Sequence, residues 1–414
     1  MQIVAAAHLL TMQGPVIADG ALAHEDGQII AIGTRAEMTA LFAAPVTDYP
    51  GCVIMPGLVN THTHLALTHF PAWKIRKGLD YMPRTYVDWI IQVIKISRSL
   101  SIEEKVVSLK EGIAKSLEAG TTAVGEIVTD YSLIGNYATT PLRGRLLLEV
   151  IGQDQLRGAS QVETLLQLIE QFPVGKLSPG ISPHAPHTVA DQLLSTLAAA
   201  AEQRHIPLAI HLAEALEELS FTHDSTGTIA TLLYPHIGWE QYLPAPRRTT
   251  PTAHLAALGI LRPGTIAVHG VHVTPTDAEL LHQHQVGVVL CPRSNDRLNV
   301  GKAPVALYKK LGIKMALGTD SLASNDSLSL WDELRALQEL FPGSFTPDEA
   351  LQLATLAGAE LLGIDAETGS LRAGKSADFL ILQPGTLPKT KEKVAAALIE
   401  DNRLLQTVIA GVSC

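Results

Sequence analysis

Eight short β-branched or apolar runs punctuate this 414-residue chain from about residue 56 onward. They are the segment leading into His62, then Thr121–Ile127, Arg145–Ile151, Leu177–Pro183, Ile206–Leu212, Thr265–Gly270, Val286–Cys291 and Ile313–Gly318. Amphipathic stretches separate most of them, among them Glu103–Ala119, Val189–Arg204 and Pro275–Gln283. Strands that alternate with helices imply a parallel sheet. Eight such units over roughly 300 residues suit a (β/α)8 TIM-type barrel, an α/β architecture. A doubly wound sheet is the alternative, but no GxGxxG fingerprint accompanies it.

The two ends of the chain read differently. Ile3–Leu10, Gly20–Glu25 and Gln28–Gly33 are strand-like, with the turn Asp26-Gly27 between the last two. Strand character returns over Gly369–Leu382, which alternates like a hairpin and strand. We therefore expect residues 1–55 and 370–414 to form one small composite β-sandwich domain, and residues 56–369 the barrel. Gly238–Thr252, rich in Pro, Arg and Thr, reads as a loop inserted after the fifth barrel strand, with Arg247 and Arg248 as candidate anion contacts.

The net charge of −10 argues against a nucleic-acid footprint, which needs a basic face. Three scattered cysteines without a CxxC exclude a zinc ribbon or a disulfide framework and fit a reducing cytoplasm. The start of the chain lacks the basic region of a signal peptide, and no apolar run approaches the roughly 20 residues of a membrane span. A soluble cytoplasmic protein is the expectation, and a homodimer is open to a barrel of this size.

Polar residues stand where the strands stop, the rim that carries the active site in such barrels. His62 and His64 end the first strand, and residues two apart on a strand face the same way, so both imidazoles reach one point. His184, His211 and His269 end the fourth, fifth and sixth strands, and Asp320 follows the eighth. A single histidine in such a place is more often a satisfied core group; a convergent set on one rim is not. Imidazoles with a carboxylate suit Zn²⁺, and also Fe²⁺ or Mn²⁺. A water on zinc has a pKa near 7 and becomes a nucleophile. Glu214, three residues after His211, is placed to shuttle its proton. Glu217 and Glu218 read as solvated helix residues, and Trp89 and Trp331 as helical positions.

The motifs Pro56-Gly57-Leu58-Val59-Asn60-Thr61-His62-Thr63-His64, His211 with Glu214, Val268-His269-Gly270-Val271-His272, Ser294-Asn295 and Gly318-Thr319-Asp320-Ser321-Leu322-Ala323-Ser324-Asn325 span nearly the whole chain. In them the chain resembles the amidohydrolase superfamily, within it the branch of cytosine deaminases, chlorohydrolases and adenosine-derivative deaminases. The resemblance implies one divalent metal, zinc first, on His62, His64, His211 and Asp320. It implies Glu214 as proton shuttle, His269 orienting the attacking water, Asp320 taking its proton, and His184 and Ser324 as substrate contacts. Two-metal members carry a bridging lysine at the end of the fourth strand; His184 stands there, so one metal is expected.

The implied reaction is hydrolytic deamination of an aminated heterocycle. Members acting on S-adenosylhomocysteine or methylthioadenosine place a ribose-binding glutamate about nine residues after the first-loop tryptophan; after Trp89 this chain has none through Arg98. Cys291-Pro292-Arg293-Ser294-Asn295 and the basic segment after Trp89-Ile90 are more similar to aminodeoxyfutalosine deaminases of menaquinone synthesis. Their substrate carries a benzoate, for which Arg293 offers a bidentate fork, with Trp89 as a further substrate contact. A small nucleoside is thus the expected partner. The alternatives are adenosine, S-adenosylhomocysteine, methylthioadenosine or guanine deamination, triazine dechlorination, a two-metal ring-opening amidase, and a metal-free binding protein on the same scaffold.

Overall fold

A computed structural model describes residues 1–172 and 175–414. From the N-terminus, β1 (Gln2–Leu9), β2 (Ile17–Glu25), β3 (Gln28–Thr34) and β4 (Val46–Pro56) precede the eight barrel strands. These are β5 (Leu58–Thr63), β6 (Thr121–Val128), β7 (Arg143–Val150), β8 (Leu177–Pro183), β9 (Leu208–Leu212), β10 (Thr265–His269), β11 (Gly287–Leu290) and β12 (Met315–Leu317). They lie side by side in chain order, and the pairings are parallel. All eight expected runs are present, with bounds that differ by at most two residues. Every residue of β6, for example, is buried, as a strand packed between barrel interior and helices requires.

The barrel closes between its first and last strands. Thr63 bridges Asp320, and Asp320 N–H donates to the His62 carbonyl at 3.1 Å. Just below, the Asn60 amide donates to Thr319 Oγ1 at 2.7 Å and accepts from Thr319 N–H at 3.0 Å. The contact needs Gly318, where an added Cβ would stand 2.8 Å from both the Cβ and the carbonyl oxygen of His62. The seam that closes the barrel is therefore the one that sets His62 against Asp320.

The helices begin where local chemistry starts them. Ser101 and Glu104 form a reciprocal cap on the helix Ile102–Glu118, and Thr274 with Asp277 caps Pro275–Gln283. The expected helices agree with the structure to within two residues.

The strands of both termini are hydrogen-bonded into one sheet, in the order β15 (Val412–Ser413), β14 (Asn402–Ile409), β13 (Phe379–Pro384), β4, β1, β2, β3. The long β4 carries β1 on its parallel edge and β13 on its antiparallel edge. A single core cluster with Val4, Leu22, Ile54, Phe379, Ile381 and Val408 draws on strands from both ends of the chain, which form one continuous sheet. Two details depart from expectation. Of Gly369–Leu382, only the part from Phe379 is a strand, since Gly369 and Gly374 adopt φ values of +82° and +87° and turn the chain before it. The C-terminal segment also contributes a helix, Val394–Glu400, whose Val394, Leu398 and Ile399 join the core cluster of the barrel.

Candidate active site

Five imidazoles and two carboxyls converge at the C-terminal rim. Ring centroids of His62 lie 4.9 Å from His64, 5.0 Å from His211 and 5.9 Å from His269. The Nε2 atoms of His62 and His64 are each 3.7 Å from Asp320 Oδ1. His269 Nε2 is 3.7 Å from Glu214 Oε1. His184 stands beside His211 at 4.9 Å. His269 and Asp320 have φ values of +71° and +56°, a left-handed conformation uncommon outside glycine and often held at functional sites.

Neighbouring groups fix the ring orientations. His211 Nδ1 is 2.8 Å from the His184 carbonyl, and His269 Nδ1 is 2.9 Å from Asn295 Oδ1. A ring that donates from Nδ1 to an oxygen keeps Nε2 as a free lone pair. Burial pushes His64 and His184 down to about 3 and His269 to about 4, so the rings are neutral and able to ligate. Although burial opposes it, the Asp320 carboxyl is held well below its ordinary range, with His62 foremost among the offsetting groups. Ser294 and Ser324 each donate to Asp320 Oδ2 at 2.7 Å.

The donor set fits a metal ion. His62 is fully buried, and neither of its ring nitrogens has a hydrogen-bond partner among the described residues. A buried polar atom without a partner is costly. Donor atoms of His62, His64 and Asp320, and of His62, His211 and His269, lie within 4.8 Å of one another, so His62 is common to both groups.

Glu214 is the group of opposite character. Burial, with the charges of Asp320 and Glu218, raises its carboxyl well above the usual range. The phenol of Tyr86 donates to Oε2 at 3.0 Å, while Oε1 has no partner among the described residues. Tyr86 lies in the helix Tyr86–Ser97, far away in sequence, and no spacing rule points to it. Glu218, expected in solvent, is buried. Its carboxylate accepts the N–H groups of Ala213, Glu214 and Ala215 at 3.1, 2.7 and 3.1 Å and so fixes the turn that presents Glu214.

These residues form the floor of a cavity of about 730 Å³. Its walls are mainly apolar and include Trp89, Ile90, Ile127, Leu233 and Trp239. His184 and Trp89 border it, the Trp89 indole N–H donating to the Ala323 carbonyl at 2.9 Å. Four residues expected as contacts do not line the cavity. Arg293 is not on the cavity wall: its guanidinium donates to Asn325 at 3.1 Å and pairs with Asp326. Ser324 is also absent from the wall and is engaged with Asp320. Arg247 and Arg248 are held by Asp191 and Asp224, and the inserted segment reaches the cavity through Trp239 instead. Arg98, at the end of the Trp89 helix, borders the cavity and has no ion pair among the described residues.

Comparison with known proteins identifies the family and the fold. A sequence model of the amidohydrolase family matches residues 53–414. A protein of Carboxydothermus hydrogenoformans named 5-methylthioadenosine/S-adenosylhomocysteine deaminase is 30% identical over 369 residues, covering 86% of this chain and 78% of its own. The fold is similar to that of Helicobacter pylori aminofutalosine deaminase, solved in complex with methylthio-coformycin, with a TM-score of 0.89, 21% identity and full coverage of both chains. It is also similar to an adenosine deaminase from Xanthomonas campestris with bound zinc, with a TM-score of 0.81, 24% identity, and coverage of 100% of this chain and 92% of the other.

Proposed function

The chain belongs to the amidohydrolase family, and from that premise we propose that it is a metal-dependent deaminase replacing the 6-amino group of an adenine-type nucleoside by oxygen. The observation that carries this reading is Glu214, a buried carboxyl with one oxygen unpartnered among the described residues, 3.7 Å from His269 beside the histidine–Asp320 cluster on the cavity floor. An amidohydrolase that breaks a ring-carbon–amine bond needs that acid: protonating the ring nitrogen is what makes the carbon electrophilic.

His62, His64, His211 and Asp320 would hold one divalent ion, zinc first. When bound, such an ion polarises a water and makes it a nucleophile at neutral pH. The residues of the chain do the rest. Trp89 and the apolar wall bind the base and exclude water. Glu214 donates its proton to the ring nitrogen, with Tyr86 holding the carboxyl in place. His269, oriented by Asn295, positions the attacking water. Asp320 takes the proton that the water gives up and passes it to the departing amino group, which leaves as ammonia, and the remaining hydroxyl proton returns to Glu214 as the carbonyl forms.

For the substrate we favour 6-amino-6-deoxyfutalosine, with Arg98 rather than Arg293 as the partner of its benzoate. The support is that Arg98 borders the cavity without an ion pair among the described residues, beyond an apolar wall that suits an aromatic tail. A second reading, S-adenosylhomocysteine or methylthioadenosine, is favoured by the names of the relatives at 30% identity. Metal-loaded protein assayed for ammonia release with these nucleosides, adenosine and guanine decides between them. Turnover of S-adenosylhomocysteine or methylthioadenosine alone rejects the first choice.

A further inference from the structure

Two hydroxyls that the reaction does not otherwise use hold the Asp320 carboxyl from two sides. Ser294 reaches it from the helix Pro292–Arg297 after β11, and Ser324 from the segment after β12. Both donate to Oδ2 at 2.7 Å, and both are buried. The other acceptor near the Ser324 hydroxyl, the Ser321 carbonyl, stands farther off at 3.4 Å. Oδ1 serves the other side, 3.7 Å from the Nε2 atoms of both His62 and His64. Glu333, fully buried on the helix Leu330–Leu340, ties the two serine-bearing segments together. Its Oε2 accepts the Arg293 N–H at 3.1 Å and its Oε1 the Asn325 side-chain amide at 2.7 Å. The residue before one serine and the residue after the other thus share one carboxyl.

The terminal torsion of an aspartate is broad and roughly two-fold, so its own rotamer preference does not choose which oxygen faces the histidines. A carboxylate oxygen that accepts two hydroxyls has both lone pairs engaged. The serines therefore occupy Oδ2 and leave the lone pairs of Oδ1 for an ion and its water. Groups that hydrogen-bond a ligating carboxylate fix its orientation and so its affinity for the ion. We propose that Ser294 and Ser324 are positioning residues that clamp Asp320 with Oδ1 toward the histidines, an inference that rests on the metal-dependent reading above. Neither serine lines the cavity, so the clamp acts through Asp320 and not on the substrate.

The test titrates metal-stripped protein with Zn²⁺ in competition with a chromophoric chelator. Ser294→Ala and Ser324→Ala should each weaken Zn²⁺ binding by about tenfold, and the double variant by about 100-fold. The urea midpoint of the metal-stripped variants should stay near that of wild type, because the clamp serves the ion and not the fold. On fully loaded samples, KM for the nucleoside turned over fastest should stay within about threefold of wild type, since no substrate contact is removed. Unchanged Zn²⁺ affinity in the double variant overturns the clamp while leaving the metal site intact. A raised KM for Ser324→Ala at unchanged affinity makes that serine a substrate contact and also overturns it. A collapse of the urea midpoint alongside the lost affinity assigns the serines to the fold and overturns it as well. A wild type that binds no Zn²⁺ rejects the metal-dependent reading itself, and the clamp with it.

Discussion

The Tyr86 phenol and the Glu214 carboxyl are joined by a 3.0 Å hydrogen bond that spans 128 residues of sequence and leaves the other carboxyl oxygen free. One oxygen is anchored, and the other faces His269. The anchor comes from a helix of the first loop, so the segment that walls the substrate cavity also positions the acid. Tyr86→Phe should keep metal content and fold and lower kcat by about tenfold, the worth of one hydrogen bond to a functional group. Steady-state kinetics beside metal analysis checks this.

Glu214→Gln should bind metal as wild type does and lose about 10²–10⁴ of turnover, the usual contribution of a general acid. Ammonia release on matched metal-loaded samples is the measurement, and retained activity would place the proton transfer elsewhere.

His62 is the donor shared by two of the groupings at the rim and is fully buried. His62→Ala should drop metal well below one equivalent per chain, as read by elemental analysis. Chelation of wild type should abolish turnover, and added Zn²⁺ should restore it.

Arg98→Gln should separate the substrates. If a carboxylate-bearing nucleoside is native, its KM should rise about 10–100-fold, as for loss of a charge-assisted hydrogen bond, while adenosine is little affected. Equal effects on both would remove Arg98 from tail recognition.

Glu126 links the fold to pH. It is fully buried on β6, accepting from Tyr137 Oη at 2.6 Å and from Leu65 N–H at 3.1 Å, and burial raises it to about 8 from an ordinary 4.5. Between those two values the folded protein holds a proton that the unfolded chain has released. The associated stability is full below about pH 4.5 and is lost as pH rises from there through about 8, at about 1.4 kcal/mol for each pH unit crossed. Glu126→Gln should flatten the decline of urea midpoint between about pH 5 and 8, the window in which the two states differ in protonation. A decline as steep as in wild type would assign the pH dependence to other groups.

Much of the architecture was legible in the sequence because its signals are local. A buried parallel strand is a short apolar run, a capped helix announces its start, and the ligating residues stand at the points where runs stop. His62, His64, His184, His211, His269, Asp320 and Glu214 could each be read from their own few neighbours, and the structure brings all of them to one rim. The misplaced residues failed for the opposite reason. Arg293 looks like a carboxylate fork until Asp326, 33 positions on, occupies it. Glu218 looks solvated until the turn over Glu214 folds back onto it. Ser324 is drawn to Asp320 and not to the cavity.

The sequence by itself thus determined the alternation of strands and helices, the (β/α)8 class and the set of metal-competent donors, since these follow from periodicity and residue type within a few positions. Only the tertiary structure decided which charges are spent on each other and which remain free. Among the described residues Arg293, Arg247 and Arg248 are paired, whereas Arg98 and one oxygen each of Glu149 and Glu214 are not. Pairing depends on distances between elements far apart in the chain, and burial sets both its energy and the protonation of each group.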